Sequence, residues 1–244
     1  AALLVAAIGL SGAQSKAQEN SLQAGTASAC ATPGGWIDGT TGKAIDGKEL
    51  IGDLAAKAAV VLLGESHTSV DHHHWQLHTM AALRGRTDNM VIGFEAFPRR
   101  LQSVLDDWIA GKLTPEAFLN ATEWRRVWGY DAALYMPLFQ FARLNRIPMI
   151  ALNVERSLVA RVGREGWASV PTELREGVSD PAPASAAYLR DLAGIYIAKR
   201  TRPADAADSA ESPEPNDQAR AEAMEQPEFK RFVEAQLTWD RAMA

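Results

Sequence analysis

The run Val60-Val61-Leu62-Leu63, closed at once by Gly64-Glu65-Ser66-His67, constrains this chain more than any other stretch. A short apolar run bounded by Gly reads as a buried parallel strand with its polar residues at the carboxyl end. In open α/β sheets the ligand crevice lies beyond the carboxyl ends of the strands. Glu65 and His67 therefore stand where binding or chemistry belongs. The pattern recurs twice: Met90-Val91-Ile92-Gly93-Phe94 runs into Glu95, and Pro148-Met149-Ile150-Ala151-Leu152 runs into Asn153. With helical patterns between them, these runs predict an α/β fold, an open, mostly parallel sheet flanked by helices. Glu65, His67, Glu95 and Asn153 are expected to share one edge of that sheet.

Around these runs, Trp36 to Ile45 has apolar ends about a Gly-rich turn and reads as a hairpin. Asp46 is placed to cap a helix through Leu50 and Leu54 to about Lys57. From Val70 to Leu83 a helix is predicted, with Trp75, Leu77, Met80, Ala81 and Leu83 on its buried side and His74 and His78 sharing another face. Pro98 and Thr114-Pro115 open further helices. Trp124 to Tyr130 reads as an aromatic and basic loop over the site, and a helix follows to Asn145. Later helices are expected over Pro171–Val178, Ala184–Ala198 and Glu228–Ala244, as an additional helical segment spanning about 171–244. Arg200 to Asp217 reads as a linker or lid. Three strands are few for 244 residues, so the chain reads as a carboxyl-terminally truncated fragment.

A net charge of −5 without a dense basic run argues against a nucleic-acid partner. A single cysteine, Cys30, excludes an intrachain disulfide and a cysteine-built metal site. Ala1 to Leu10 is apolar, uncharged and too short to span a bilayer, and Ser11-Gly12-Ala13 supplies small residues for signal-peptidase cleavage. Residues 1–17 are read as a signal-peptide remnant and 18–33 as a disordered leader, with one domain over 34–244. That predicts an exported protein, periplasmic or membrane-associated. Lipidation at Cys30 is weighed against a plain linker cysteine, and the linker reading is preferred.

Three chemistries fit the expected crevice. Glu65, His67, Glu95 and one of His72, His73, His74 or His78 offer mixed ligands for zinc or another divalent metal. For His72 and His73 a solvated helical face is the preferred reading. The same Glu65, His67 and Glu95 would position water in a metal-dependent esterase or peptidase; a serine hydrolase is disfavoured because no Gly-x-Ser-x-Gly elbow is present. Finally, Trp124, Trp128, Tyr130, Tyr135 and Phe139 offer walls for a planar cofactor such as haem, whose iron takes Tyr or His ligands. Tyr130, beside Gly129, is the preferred tyrosine, and Phe139 reads as core.

Val61-Leu62-Leu63-Gly64-Glu65-Ser66-His67, Gly93-Phe94-Glu95, Tyr135 to Arg143, Ala151-Leu152-Asn153-Val154 and Ala235 to Ala244 together resemble the ChaN-like haem-binding uptake proteins. These belong to a superfamily that includes the Tiki metalloproteases and erythromycin esterases. The resemblance runs from about Trp36 to the end of the chain. It implies a bacterial protein that binds haem for iron acquisition without turnover, as a homodimer with haem at the interface and with an outer-membrane haem receptor as partner. On this reading Glu65, His67, Glu95, Tyr130, Tyr135 and Asn153 form the cofactor site, with Tyr130 and His67 as the metal ligands. The metal-dependent hydrolase is the alternative. Family members end in a further strand and a Gly-x-Gly-His-like segment that this sequence does not reach.

Overall fold

The structure is a computed structural model that describes residues 34–201 and 214–244, together with the backbone of Leu3–Val5. Most of the expected signal remnant, the leader with Cys30, and most of the 200–217 linker lie outside the described residues. The fold is α/β. Strand β1 (Leu3–Val5) pairs in parallel with β4 (Ile92–Pro98), with Leu3 opposite Ile92, and β5 (Met149–Asn153) lies on the other side of β4. Strands β2 (Trp36–Ile37) and β3 (Ala44–Ile45) form the expected antiparallel hairpin.

The described residues cluster into two compact units. The first comprises those up to Phe94 together with Val104–Ile150. It holds α1 (Gly47–Lys57), α2 (Val70–Arg84), most of α3 (Gln102–Ile109), α4 (Pro115–Ala121), α5 (Trp124–Val127) and α6 (Ala132–Leu144). Side-chain caps start these helices where the sequence places them. Asp46 accepts from the Lys48 and Glu49 amides, Thr114 from Ala117, and Asp131 from Ala133. The core includes Leu63, Met80, Leu83, Ile92, Trp108, Phe118, Leu138 and Phe139, all buried. The Trp108 indole satisfies its N–H on the Phe139 carbonyl at 2.9 Å.

The second unit comprises Glu95–Ser103 and the described residues from Ala151 onward. It holds α7 (Arg156–Glu165), α8 (Ala186–Thr201), α9 (Asp217–Met224) and α10 (Pro227–Met243). Leu192, Ala193, Tyr196, Phe229 and Val233 form one of its cores, and Val154, Leu158, Val162, Val170 and Val178 another. The Glu176 carboxylate accepts from the Glu155 amide and so caps α7, and Arg99 donates to the carbonyls of Glu176 and Ala242.

Three expectations need correction. Residues 60–66 form no strand among the described residues, and Leu3–Val5 rather than Val60–Leu63 lies beside β4. Val61 and Leu63 are buried, whereas Val60 and Leu62 are 49% and 56% exposed. The segment thus has the two-residue alternation of a half-buried strand, not the two-sided burial of a central one. The Leu63 carbonyl accepts from the Gln76 side chain of α2 at 3.0 Å instead. Second, Pro171–Val178 holds a short 3-10 turn, Thr172–Leu174, and a further turn closed by the Val178 amide on the Arg175 carbonyl, rather than an α-helix. Third, Glu95 lies inside β4 rather than beyond its end, because Ala96 and Phe97 carry the buried strand on to Pro98.

Candidate functional site

The first unit contains a buried polar cluster centred on Glu65, which is 7% exposed. Its surroundings follow from local structure. After Leu63 the chain turns, with the Ser69 amide bonding to the Ser66 carbonyl, and Ser69 then caps α2 by accepting from the His72 amide. The turn brings His67 back beside Glu65: His67 Nδ1 lies 2.8 Å from Glu65 Oε1. Helix α2 sends His73 inward from the other side, with His73 Nδ1 2.9 Å from Glu65 Oε2 and His73 Nε2 3.2 Å from the His67 carbonyl. The Nδ1 contact is close but not aligned as a hydrogen bond. From α6, the Tyr135 hydroxyl donates to Glu65 Oε1 at 2.6 Å.

The triplet His72-His73-His74 separates as adjacent helical positions must. His72 is exposed and its Nδ1 accepts from the Ser66 amide at 2.8 Å, tying down the turn. His74 and His78 are both exposed, on the shared face expected for them. His73 is 2% exposed, which overturns the solvated reading preferred for it. The buried face of α2 is His73, Gln76, Thr79, Met80 and Leu83, not the one drawn through Trp75, Leu77 and Ala81. The signal was present in the spacing: His73 and Gln76 lie seven residues before Met80 and Leu83 respectively, on one helical stripe. Polar residues on that stripe were the clue that it meets a polar partner.

Electrostatics follow from the contacts. Burial pushes the Glu65 carboxyl up, but donation from His67 and Tyr135 and the closely placed His73 ring outweigh it and hold the group down at about 2. Burial alone would depress the His73 ring; the Glu65 carboxylate in close contact with it raises it instead. Burial, followed by the neighbouring Glu65 carboxylate, pushes the Tyr135 hydroxyl far up, so Tyr135 stays a neutral phenol and a donor.

His67 is the accessible member of the cluster, its side chain 26% exposed. Its ring meets Trp128 edge-on at 4.8 Å and Tyr130 at 4.7 Å between centroids. The stretch expected to be a loop is the short helix α5, followed by Gly129 at φ +89°, a left-handed turn that lets the chain reverse between Trp128 and Tyr130. The Trp124 indole donates to the Tyr130 carbonyl at 2.7 Å and fixes that turn. Trp128 and Tyr130 are thereby held as two walls beside His67.

In the second unit, Glu95 and Asn153 are also brought together: the Asn153 amide donates to the Glu95 carbonyl at 2.9 Å, and Asn153 Oδ1 accepts from the Val154 amide at 2.8 Å. Both side chains are buried. Of the six residues singled out from the sequence, Glu65, His67, Tyr130 and Tyr135 thus form one cluster, and Glu95 and Asn153 another.

A divalent metal finds little support here. Glu65 Oε1 already accepts from two donors and Oε2 faces an imidazole. Among the described residues no group of three or more His, Cys, Asp or Glu is arranged to hold a metal ion. A haem makes a different demand: one donor atom at an opening and flat apolar walls beside it. His67 with Trp128 and Tyr130 fits that demand.

The family described as haem-binding uptake, Tiki superfamily, ChaN, matches residues 51–244. A solved structure described as cofacial heme binding to ChaN of Campylobacter jejuni aligns with 85% of this chain and 72% of its own. The two are 20% identical, with a TM-score of 0.57. No curated protein matches.

Proposed function

The chain belongs to the haem-binding uptake (ChaN) family of the Tiki superfamily, and from that premise we propose that it binds haem at the partly exposed His67, beside Trp128 and Tyr130, and serves haem or iron acquisition without turnover. The observation that carries this reading is the Glu65–His67 pair. A carboxylate on Nδ1 orients a histidine ring and strengthens its other nitrogen as a metal donor, the arrangement that recurs around metal-ligating histidines. His67 Nε2 is the donor in this proposal, and haem supplies the iron that it would hold.

Tyr130 is the other ligand candidate, and geometry limits how the two combine. Their ring centroids lie 4.7 Å apart, in direct packing contact. They approach from one side, one as ligand and the other packed against it. Tyr135, held as a phenol on Glu65, acts through that carboxylate.

Export of the protein, pairing of two copies around bound haem, and exchange with an outer-membrane haem receptor belong to the same proposal. The apolar Ala1–Leu10 stretch supports the first and the family resemblance the other two. Among the described residues no helix is long and apolar enough to cross a membrane.

Hemin titration tests the reading. A saturable Soret shift is expected, lost in His67→Ala and altered in Tyr130→Phe. No saturable shift, together with an esterase or peptidase activity abolished by chelation, would instead establish the metal-dependent hydrolase that uses Glu65, His67 and Glu95. Sedimentation with and without hemin reads the pairing.

A further inference from the structure

Helix α2 carries four of the chain's five histidines, and the Glu65 cluster with its turn occupies two of them. His73 is buried, and His72 ties down the turn at Ser66. His74 and His78 remain, both exposed. They stand one helical turn apart, which places their Cβ atoms about 5–6 Å from each other on one face. Around the helix they are turned away from His73 by about 100° and 140°, so they belong to a different surface. The rest of the helix fixes that surface. His73, Gln76, Thr79, Met80 and Leu83 are buried on the other side, and Ser69 caps the first turn by accepting from the His72 amide. Trp75, next to His74 in sequence, packs on Trp36 of the hairpin with ring centroids 5.1 Å apart. The backbone under the pair is thus helical before anything binds, and packing opposes rotation of α2 about its axis.

We propose that His74 and His78 form a surface binding site, apart from the Glu65 cluster, for a divalent transition ion of the zinc, nickel and copper class. Imidazole nitrogens suit these ions and bind them at about 2 Å. Two rings one helical turn apart on a single face can both reach an ion held between them, the spacing that helix-borne zinc sites use. Trp75-Gln76-Leu77 lies between the two histidines. The glutamate that directly follows the first histidine in zinc proteases, and acts there as general base, is replaced by Trp75. The pair is therefore equipped to hold an ion and carries no base to activate water on it. Among the described residues no third His, Cys, Asp or Glu completes a metal-holding group. Water fills the remaining positions and keeps the ion exchangeable. Affinity comes from chelation: once one ring has bound, the other meets the ion at a high effective concentration.

Zinc titration of the wild-type chain at neutral pH tests the proposal. In long-range proton–nitrogen spectra of the histidine-labelled chain, the ring signals of His74 and His78 should move together and saturate at one zinc per chain. Rings of His74 and His78 that stay unmoved up to millimolar zinc overturn the proposal with no variant required, whether or not other histidines respond. Magnesium, which takes oxygen ligands, should leave both rings where they are; equal shifts with magnesium would mark a general ionic effect and overturn the site. By calorimetry, His74→Ala and His78→Ala should each weaken zinc binding about 100-fold, the scale of a lost chelate partner. Alanine at an exposed helical position favours the helix, and circular dichroism checks that α2 is kept. Wild-type zinc affinity in either folded variant overturns the proposal. If a variant does not fold, the wild-type spectra decide.

Discussion

Two carboxylates in this protein accept a hydrogen bond from a tyrosine at nearly the same distance, with opposite electrostatic outcomes. In the first unit Tyr135 donates to Glu65 at 2.6 Å; in the second, Tyr188 of α8 donates to Asp240 of α10 at 2.7 Å. Burial pushes both carboxyls up. For Asp240 the single phenol does not overcome it, and the group stays above its ordinary value. For Glu65 two imidazoles join the phenol, and the group is held down at about 2. A neutral donor satisfies a lone pair, whereas a cationic ring also compensates the charge. The first unit keeps a buried ion for use, and the second keeps a helix–helix contact.

The largest expected break in this comparison comes from removing the carboxylates. Glu65→Ala leaves a buried imidazolium without its counter-charge and should cost about 3–5 kcal/mol in urea unfolding. Asp240→Asn keeps a Tyr188 acceptor and removes a charge that burial disfavours, so it should change stability by less than about 1 kcal/mol. Equal losses at the two sites would erase the distinction.

Acid should separate them next. The folded-state carboxyl of Glu65 lies below its unfolded value, so its contribution is fully present above about pH 4.5 and is lost as pH falls toward 2. A shift of that size corresponds to about 3 kcal/mol. Asp240 runs the other way: its folded value is raised, so the native state takes up the proton first, and acidification toward the unfolded value strengthens this contact. Urea midpoints of the wild type and of Glu65→Gln should therefore diverge above pH 4.5 and approach each other as pH falls toward 2. An unchanging gap would count against the buried ion pair.

Removing the phenols should cost less than removing Glu65. Tyr135→Phe removes a hydrogen bond to an ionised acceptor, worth about 1.5–3 kcal/mol, and Tyr188→Phe should lose less, about 0.5–1.5 kcal/mol. Thermal melts at neutral pH compare the two. A larger loss at Tyr188 would show that helix packing, not charge, dominates both sites.

Much of the site was legible because strand-and-turn patterns and helix caps are local. Glu65 and His67 announced themselves by following an apolar run directly, and Asp46 caps the helix that its side chain suggested. Tyr130 was marked by its neighbour Gly129. His73 was not found, because three consecutive histidines look alike in a sequence and only their angle around α2 tells them apart. Val60–Leu63 misled for a related reason: four apolar residues in a row do not say whether one face or both will be covered.

The sequence by itself determined the class of fold, the family, and the pairing of Glu65 with His67, since each depends on residue types at short separation. Tertiary structure alone decided which imidazole would compensate Glu65, that Tyr135 would be a donor to it from 70 residues away, and that Trp128 and Tyr130 would stand beside His67. Those outcomes depend on how α2, α6 and the turn at Gly129 meet in space. Burying the Glu65 charge costs free energy unless it is paired and hydrogen-bonded, and here the partners arrive from α2, α6 and the turn after Leu63.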